Sequence, residues 1–167
     1  MELDAAIKAV KGSDEYRSFS KQSPEYRLAH AFSMHAPDEG FDWQLGFYSP
    51  KTQKLVVFKT SPVEKLPEDD AFNRGEEIKE LDLKAVKLSP EEAERTAFGL
   101  KQEKFPAEQV TKIILVLQRL DRQVYNFTLV TMTFNILNVR VDAASGEIVS
   151  AEMRSIMSLR RDEDGKK

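Results

Sequence analysis

The chain has 167 residues, no cysteine and a formal net charge of −3. This length suits one domain or two small ones, and it allows a core that buries roughly 70% of the surface exposed by the unfolded chain. The lack of cysteine excludes disulfides, thiolate nucleophiles and cysteine-based zinc sites. The mild charge does not predict nucleic-acid binding, and no apolar run is long enough for a transmembrane helix. We therefore expect no nucleic-acid partner and no membrane insertion.

An amphipathic helix is predicted at the amino terminus, where apolar residues recur at i, i+3, i+4 and i+7. They are Leu3, Ala6, Ile7 and Val10, and Gly12-Ser13 predicts the end of the helix. The opening segment carries acids where a signal peptide has basic residues. We expect a cytoplasmic protein if this amino terminus is native, and an exported or cell-surface one if a signal segment was trimmed.

Three strands are predicted next, as an antiparallel meander. The segment YRLAHAFSMH (26–35) alternates at period two, as a half-buried strand does. The strands FDWQLGFYS and KLVVFKT follow, joined by PKTQ. Trp43, Leu45 and Phe47 alternate correctly for a buried face, so core packing is favoured over an aromatic binding face for the cluster of Trp43, Phe47 and Tyr48.

The middle of the chain has a different composition. Residues 61–82 contain two prolines, one glycine, eight acids and only three bases. Scattered apolar residues and turn-forming residues predict an acidic linker or surface segment, with bounds at 61–84. An acidic docking segment is the alternative interpretation.

A second helix has a clear start signal in LSPEEAERTAFGLKQEK (88–104). Ser89 is the predicted N-cap, Pro90 occupies the first helical position, and Glu92 completes a capping box. Gly99 inside the helix predicts close packing, because glycine otherwise costs about 1 kcal/mol there. The predicted inward residues are Ala93, Ala97 and Leu100.

The strands after this helix are strongly apolar. The run Ile113 to Leu117 predicts a strand buried on both faces. The next segment, VYNFTLVTMTFNILNVRV (124–141), is too long for one strand, so we predict a bulge or sharp bend between Thr131 and Asn135. The tail, residues 159–167, is predicted to be disordered.

The last predicted element is a hairpin over residues 138–153. Asp142 is expected to cap its turn, and Gly146 to supply a positive φ. Val141 and Ile148 are expected to face the helix. Each half of the chain therefore reads as a helix followed by strands, which predicts two similar units in tandem.

The second half resembles the PepSY family. Its members typically have a Ser/Thr-x-Glu-x-Ala helix start and end in a Val-Asp-Ala-x-Thr/Ser-Gly-Glu-Val/Ile hairpin. The resemblance implies an α+β fold, with a helix packed on a bent antiparallel sheet, cystatin-like in each half. It predicts a PepSY-like unit over residues 1–60, where only the plan is similar, and another over residues 85–158. The matching residues are Ser89, Glu91, Ala93, Val141, Asp142, Ala143, Ala144, Ser145, Gly146, Glu147 and Ile148.

The sequence contains no recognisable motif for a metal site, a catalytic nucleophile or a phosphate-binding loop. His30 and His35 are the only histidines, and five positions apart on a strand they point to opposite faces, so we do not expect them to share a metal. There is no nucleophile elbow and no glycine-rich phosphate loop. We therefore predict no catalytic, metal or cofactor-binding residues, and we assign no binding residues.

The predicted function is a non-catalytic protein- or peptide-binding regulatory module, which by resemblance would restrain a peptidase. It would bind its partner by pairing through an edge strand or through an exposed hairpin. One alternative is a domain that binds a small apolar ligand, with enzymatic use, in a cavity lined by Trp43, Phe47, Phe127 and Phe134. Another is a dimerisation domain with a broad apolar patch.

Overall fold

The computed structural model describes residues 1–70 and 77–157, and these form an α+β fold with one large antiparallel sheet. A 3₁₀ turn, Leu83–Ala85, precedes the last helix. The helices are α1 (Leu3–Lys11), α2 (Asp14–Gln22) and α3 (Pro90–Lys104). The strands are β1 (Arg27–His35), β2 (Trp43–Ser49), β3 (Lys54–Thr60), β4 (Val63–Lys65), β5 (Asp69–Asp70), β6 (Val110–Arg119), β7 (Gln123–Thr131), β8 (Asn135–Asp142) and β9 (Ile148–Ser155).

The sheet runs in the order β4-β3-β2-β1-β6-β7-β8-β9, and β5 also pairs with β3. Each half forms a meander, and the two meanders join where β1 pairs with β6, from His30 opposite Gln118 to His35 opposite Ile113. The first strand of each half therefore lies at the centre of the sheet. The last strands, β4 and β9, lie at its two ends.

The amino-terminal segment folds into two helices, where the sequence predicted one. The four apolar residues of α1 are buried as predicted. Gly12 ends α1, but Ser13 starts α2 at once, and its hydroxyl accepts a hydrogen bond from the Tyr16 amide at 3.2 Å. The α2 sequence has only Tyr16 and Phe19 to mark an inward face, so it carries little periodicity. Phe19 is buried against the aromatic rings of the first meander.

Helix α3 begins as the sequence predicts. The Ser89 hydroxyl accepts from the Glu92 amide, the Glu92 carboxylate accepts from the Ser89 amide, and Pro90 follows the cap. The predicted inward residues Ala93, Ala97 and Leu100 are buried. The close packing predicted at Gly99 is wrong, because Gly99 is exposed and no atom lies within 4 Å of the position its Cβ would occupy.

Strand β1 is interrupted by a bulge between Leu28 and His30. A bulge inserts one residue and so exchanges the two faces of the strand that follows. Before it, Leu28 is buried; beyond it, Ala31, Ser33 and His35 are the buried residues. The predicted alternation of buried and exposed residues over 26–35 therefore holds on each side of the bulge, but not across it.

The helices cover one face of the sheet, where most of the core lies, and the opposite face is half-buried. On β6 the side chains of Ile113, Leu115 and Leu117 are fully buried, whereas Ile114 and Val116 are only partly buried. The prediction that this strand is buried on both faces is thus wrong for its second face. Within residues 1–70 and 77–157, none of the three helices covers that face.

The long apolar stretch after β6 is divided at the predicted place. Strand β7 ends at Thr131 and β8 begins at Asn135, so the predicted bend is a complete hairpin turn. In the following hairpin, the Asp142 Oδ1 atom accepts from the Ala144 and Ser145 amides, both at 2.8 Å, and Gly146 has a φ of 80°. Both predictions for this turn are confirmed. The prediction for Ile148 is wrong, because its side chain is exposed rather than directed at the helix.

The acidic segment at 61–84 lies partly outside the described residues. Its described portion includes β4 and β5, both paired with β3. Its far end returns to the core, since Leu81 is buried and its amide donates to the Leu28 carbonyl at 2.9 Å. The tail at 159–167 lies outside the described residues.

Candidate docking surface at the β7–β8 turn

The four aromatic residues that would line the cavity of the alternative, ligand-binding interpretation do not lie together around one. Trp43, Phe47 and Phe127 are at most 1% exposed and fill the core. Tyr48 is also buried. Phe134 lies outside this core, in the turn between β7 and β8, with 66% of its surface exposed. The exposed member of the set therefore requires a separate explanation.

The β7–β8 turn presents large apolar side chains to solvent. Met132 is 59% exposed and lies two residues before Phe134. Phe134 has a φ of 60°, a left-handed conformation that is unfavourable for a bulky L-residue. An exposed aromatic residue in a strained backbone conformation contributes little to the core, and such strain concentrates at functional sites.

A polar network fixes the shape of this turn. The Glu108 carboxylate accepts from the Thr133 hydroxyl at 2.6 Å and from the Asn135 amide group at 2.8 Å. These hydrogen bonds lower the pKa of Glu108, because they favour its charged form. The Thr131 hydroxyl accepts from the Asn135 backbone amide at 3.1 Å. The turn is therefore held by side chains on both sides of it.

Backbone contacts connect the turn to the edge strand. The Phe134 amide donates to the Thr131 carbonyl at 3.1 Å, and the Phe134 carbonyl accepts from the Ile156 amide at 2.9 Å. This bond places the end of β9 beside the turn, where Met157 is 59% exposed. Met132, Phe134 and Met157 form what we call the apolar tip.

Strand β9 extends the exposed surface away from the apolar tip. It pairs with β8 along its length, and no other described strand pairs with it over Ile148 to Arg154. Its first five residues are all exposed, including Ile148 and Val149. Natural edge strands are commonly protected by proline or by charged side chains, above all lysine. This strand carries Glu152 and Arg154 in its second half, whereas Ile148 to Ala151 contain neither proline nor a charge, so that part of the edge is available for pairing.

The two histidines lie on opposite faces, as their spacing predicts. His35 is buried beneath α3, with its Nδ1 atom 3.1 Å from the Ser33 hydroxyl and its Nε2 atom 3.0 Å from the Glu94 carboxylate. The Ser33 hydroxyl also accepts from the Asp42 amide at 3.0 Å. This trio resembles a catalytic arrangement in composition only, because Ser33 is fully buried. Its contacts hold α3 to β1.

His30 packs on the helix-free side of the sheet. A Cβ atom on Gly46, its cross-strand neighbour, would overlap the His30 imidazole. The glycine therefore provides the space for the ring. Burial lowers the pKa of His30, because the charged imidazolium loses its hydration.

A cleft of about 350 Å³ lies between the start of α1 and the start of α3. The buried Tyr125 contributes to its wall, and its hydroxyl donates to the Leu88 carbonyl at 2.7 Å. Burial, followed by nearby carboxylates, raises the pKa of Tyr125 well above its usual value. The other lining residues are Glu2, Leu3, Asp4, Leu83, Val86, Lys87, Ser89, Pro90 and Glu91.

Among residues 1–70 and 77–157, no group of three His, Asp or Glu side chains is placed to hold a metal ion. Within the same ranges, no helix has the length and apolar character needed to cross a bilayer.

Sequence reasoning missed the apolar tip as a surface. The segment TMTFN has no glycine at the position of positive φ, so it reads as continuous strand. The available signal was Phe134 itself, which falls inside the region where a bend was required. The role of Glu108 could not be found from sequence, because its partners lie 25 and 27 residues away.

Comparisons with known proteins bear on the fold. No protein-family model matches the sequence, and no curated protein matches it. Among solved structures, the chain is similar to the crystal structure of a putative lipoprotein from Clostridium difficile 630, with a TM-score of 0.52 and 15% identity. The match covers 87% of this chain and 94% of that one. At this identity the likeness supports a shared fold and nothing more.

Proposed function

We propose that this chain is a non-catalytic protein- or peptide-binding module that docks through the apolar tip and the adjoining strand β9. It consists of two PepSY-like, cystatin-like units in tandem, the first with two α-helices and the second with one, each followed by four principal strands. The arrangement of the sheet supports this division, because both meanders start at the central β1–β6 pair and run outwards.

The observation that carries the proposal is Phe134. A phenylalanine that is two-thirds exposed gives the fold little burial energy, while its left-handed backbone conformation costs about 1–2 kcal/mol. The surrounding network holds that conformation. Aromatic and methionine side chains are enriched at protein interfaces, and a rigid turn loses little conformational entropy when it binds.

Strand β9 gives the module a second mode of contact with the same partner. An extended peptide can add to an open edge through main-chain hydrogen bonds, with its side chains read by neighbouring surface residues. Ile148 and Val149 would supply apolar contacts at the far end of that edge. A peptide bound along β9 would reach the apolar tip through the Ile156–Phe134 contact.

The PepSY resemblance makes a peptidase the kind of partner that this module would restrain. The structural neighbour is named a putative lipoprotein, and on that likeness we propose an exported or cell-surface location for this chain.

The packed core favours binding at the surface over an internal apolar ligand. Trp43, Phe47 and Phe127 occupy the space that a ligand would need. The dimerisation alternative retains a physical basis in the exposed apolar tip, and a second copy is one form that a protein partner can take.

The proposal is tested by affinity isolation from native lysate with Phe134→Asn as the variant. Asparagine tolerates the left-handed conformation, so the turn is retained while its aromatic side chain is lost. Gln53→Asn is the matched control, since Gln53 is an exposed residue with a φ of 57° in a different turn. We expect a stoichiometric partner with the wild type and Gln53→Asn, and its loss with Phe134→Asn. Equal recovery by all three proteins would contradict the assignment of the site.

A further inference from the structure

We propose that the apolar tip of one copy docks into the cleft between α1 and α3 of a second copy, and that two copies do this reciprocally in a closed dimer. This inference rests on the apolar tip as the docking site of the proposed function, and it assigns a second copy of the chain to that site where the PepSY resemblance would assign a peptidase. The apolar tip and the cleft are complementary in size and in charge.

The cleft has room for the apolar tip. A cavity of about 150 Å³ holds a benzene ring, and this cleft measures about 350 Å³. It can therefore take the Phe134 ring together with the Met132 side chain. Apolar side chains form part of its wall and would contact the ring: Leu3, Leu83, Val86, Leu88 and Pro90.

The charges around the two surfaces are opposite. Three carboxylates line the cleft, those of Glu2, Asp4 and Glu91, against a single amine, that of Lys87. Basic side chains lie around the apolar tip. Lys101 acts electrostatically on Glu108, Lys112 pairs with Val130 near the end of β7, and Arg154 pairs with Ile136 on β8.

Two acidic groups lie among these basic ones. Glu108 accepts two side-chain hydrogen bonds that favour its charged form, and Lys101 acts on it; Glu152 forms an ion pair with Arg154 at 2.9 Å. Three basic groups against two carboxylates leave a small positive excess, and Lys112 is the basic group that would meet the carboxylates of the cleft. Complementary charges of this kind orient partners and speed their association.

The contact must form between molecules. The cleft includes the first turn of α3, whereas the apolar tip is held by Glu108, which follows the end of that helix. A helix of 15 residues is about 22 Å long. A chain therefore cannot place its own Phe134 in its own cleft. In a reciprocal dimer, the apolar tip of each copy occupies the cleft of the other. Neither surface then remains free to bind a third copy.

The rigidity of the turn favours a shaped protein acceptor over a lipid surface. A fluid interface accepts an aromatic side chain in many orientations, so it gains nothing from a fixed backbone. A preformed cleft gains affinity from it, because the bound conformation is already selected. The strain at Phe134 is thus explained by a pocket of defined shape.

The test is sedimentation velocity over a concentration series with three proteins: the wild type, Phe134→Asn, and Leu83→Arg. Leu83 lines the cleft and is partly exposed, so the arginine blocks the cleft without disturbing the core. We expect the wild type to dimerise and both variants to be monomeric. Loss of one hot-spot side chain weakens a contact by about 30-fold or more, and the dimer loses two contacts.

Mixing the two variants provides a sharper result. Phe134→Asn retains its cleft and Leu83→Arg retains its apolar tip, so one contact can form between them. We expect the mixture to dimerise more weakly than the wild type but more strongly than either variant alone. Circular dichroism of each variant checks that it is folded.

Other outcomes overturn the inference in distinguishable ways. A wild type that is monomeric throughout excludes the second copy but leaves a different protein partner open to the affinity isolation. A dimer lost in Phe134→Asn and kept in Leu83→Arg excludes the cleft while retaining the apolar tip as a docking site. Oligomers that grow beyond the dimer as the concentration rises would exclude a closed, reciprocal dimer. Binding of a monomeric wild type to anionic phospholipid vesicles, lost in Phe134→Asn, would assign the apolar tip to a lipid surface instead.

Discussion

Replacing Phe134 by asparagine should stabilise the fold while it abolishes docking. Asparagine adopts the left-handed conformation more easily than phenylalanine, and this should raise the free energy of unfolding by about 1–2 kcal/mol. Phe134 is 66% exposed, so only about a third of its side chain is buried. Full burial of a phenylalanine is worth about 1.5–3 kcal/mol, and a third of that is about 0.5–1 kcal/mol. The expected net gain in the free energy of unfolding is therefore about 0–1.5 kcal/mol, with a midpoint of about 0.75 kcal/mol.

Urea denaturation measures this change, as a shift of the midpoint at constant m-value. The melting temperature should rise by about 2 °C, as expected for a chain of this size. Gln53→Asn is the control for backbone relief, since it has the same kind of φ without an apolar side chain. It should also stabilise the protein, and it should leave docking unchanged.

A loss of more than about 1 kcal/mol in Phe134→Asn would refute this reasoning. It would mean that the aromatic ring is a structural contact, and that its exposure and strain do not indicate a binding role. Stabilisation in both variants, with docking lost in only one, would separate function from folding at this residue.

The remaining predictions concern stability and the shape of the turn. Because burial lowers the pKa of His30 below 6.5, the free energy of unfolding should decline as the pH falls below that value, and His30→Gln should flatten the decline in urea titrations. Gly46→Ala should cost about 1–3 kcal/mol by displacing the His30 ring, and the cost should shrink in a His30→Ala background. Asp142→Ala should lower the free energy of unfolding by about 1–3 kcal/mol, since two amides lose their acceptor. Glu108→Ala should accelerate amide hydrogen exchange in residues 132–134, while exchange in β2 stays unchanged.

Elements with strong local signals were predictable from the sequence. The α3 capping box, the Asp142 turn and the alternation of Trp43, Leu45 and Phe47 each depend on residues close together in the chain. Local hydrogen bonds and a single buried face determine these features, so a sequence pattern contains them.

Features that depend on distant residues were not predictable. The bulge in β1 reverses the burial of the residues after Leu28, and nothing in that segment indicates it. The second face of β6 was predicted to be buried, but burial there depends on whether another layer covers the sheet. The exposure of Ile148 likewise follows from its place on the outermost strand, which depends on the order of the whole sheet.

The apolar tip lies between these two cases. A bend between Thr131 and Asn135 follows from strand length alone, but the identity of the exposed side chains does not. The hydrogen bonds of Glu108 hold the turn that carries these side chains, and they join segments more than 20 residues apart.

Site-specific photo-crosslinking at position 134 tests the central claim most directly. The photoreactive analogue p-benzoylphenylalanine replaces Phe134 in one protein, and replaces the exposed Arg95 on α3 in a matched control. We predict one defined protein adduct from position 134, which excess unlabelled wild type suppresses and excess Phe134→Asn does not. The adduct is a homodimer if the partner is a second copy. No adduct from position 134, or the same adducts from positions 134 and 95, would contradict a docking role for the β7–β8 turn.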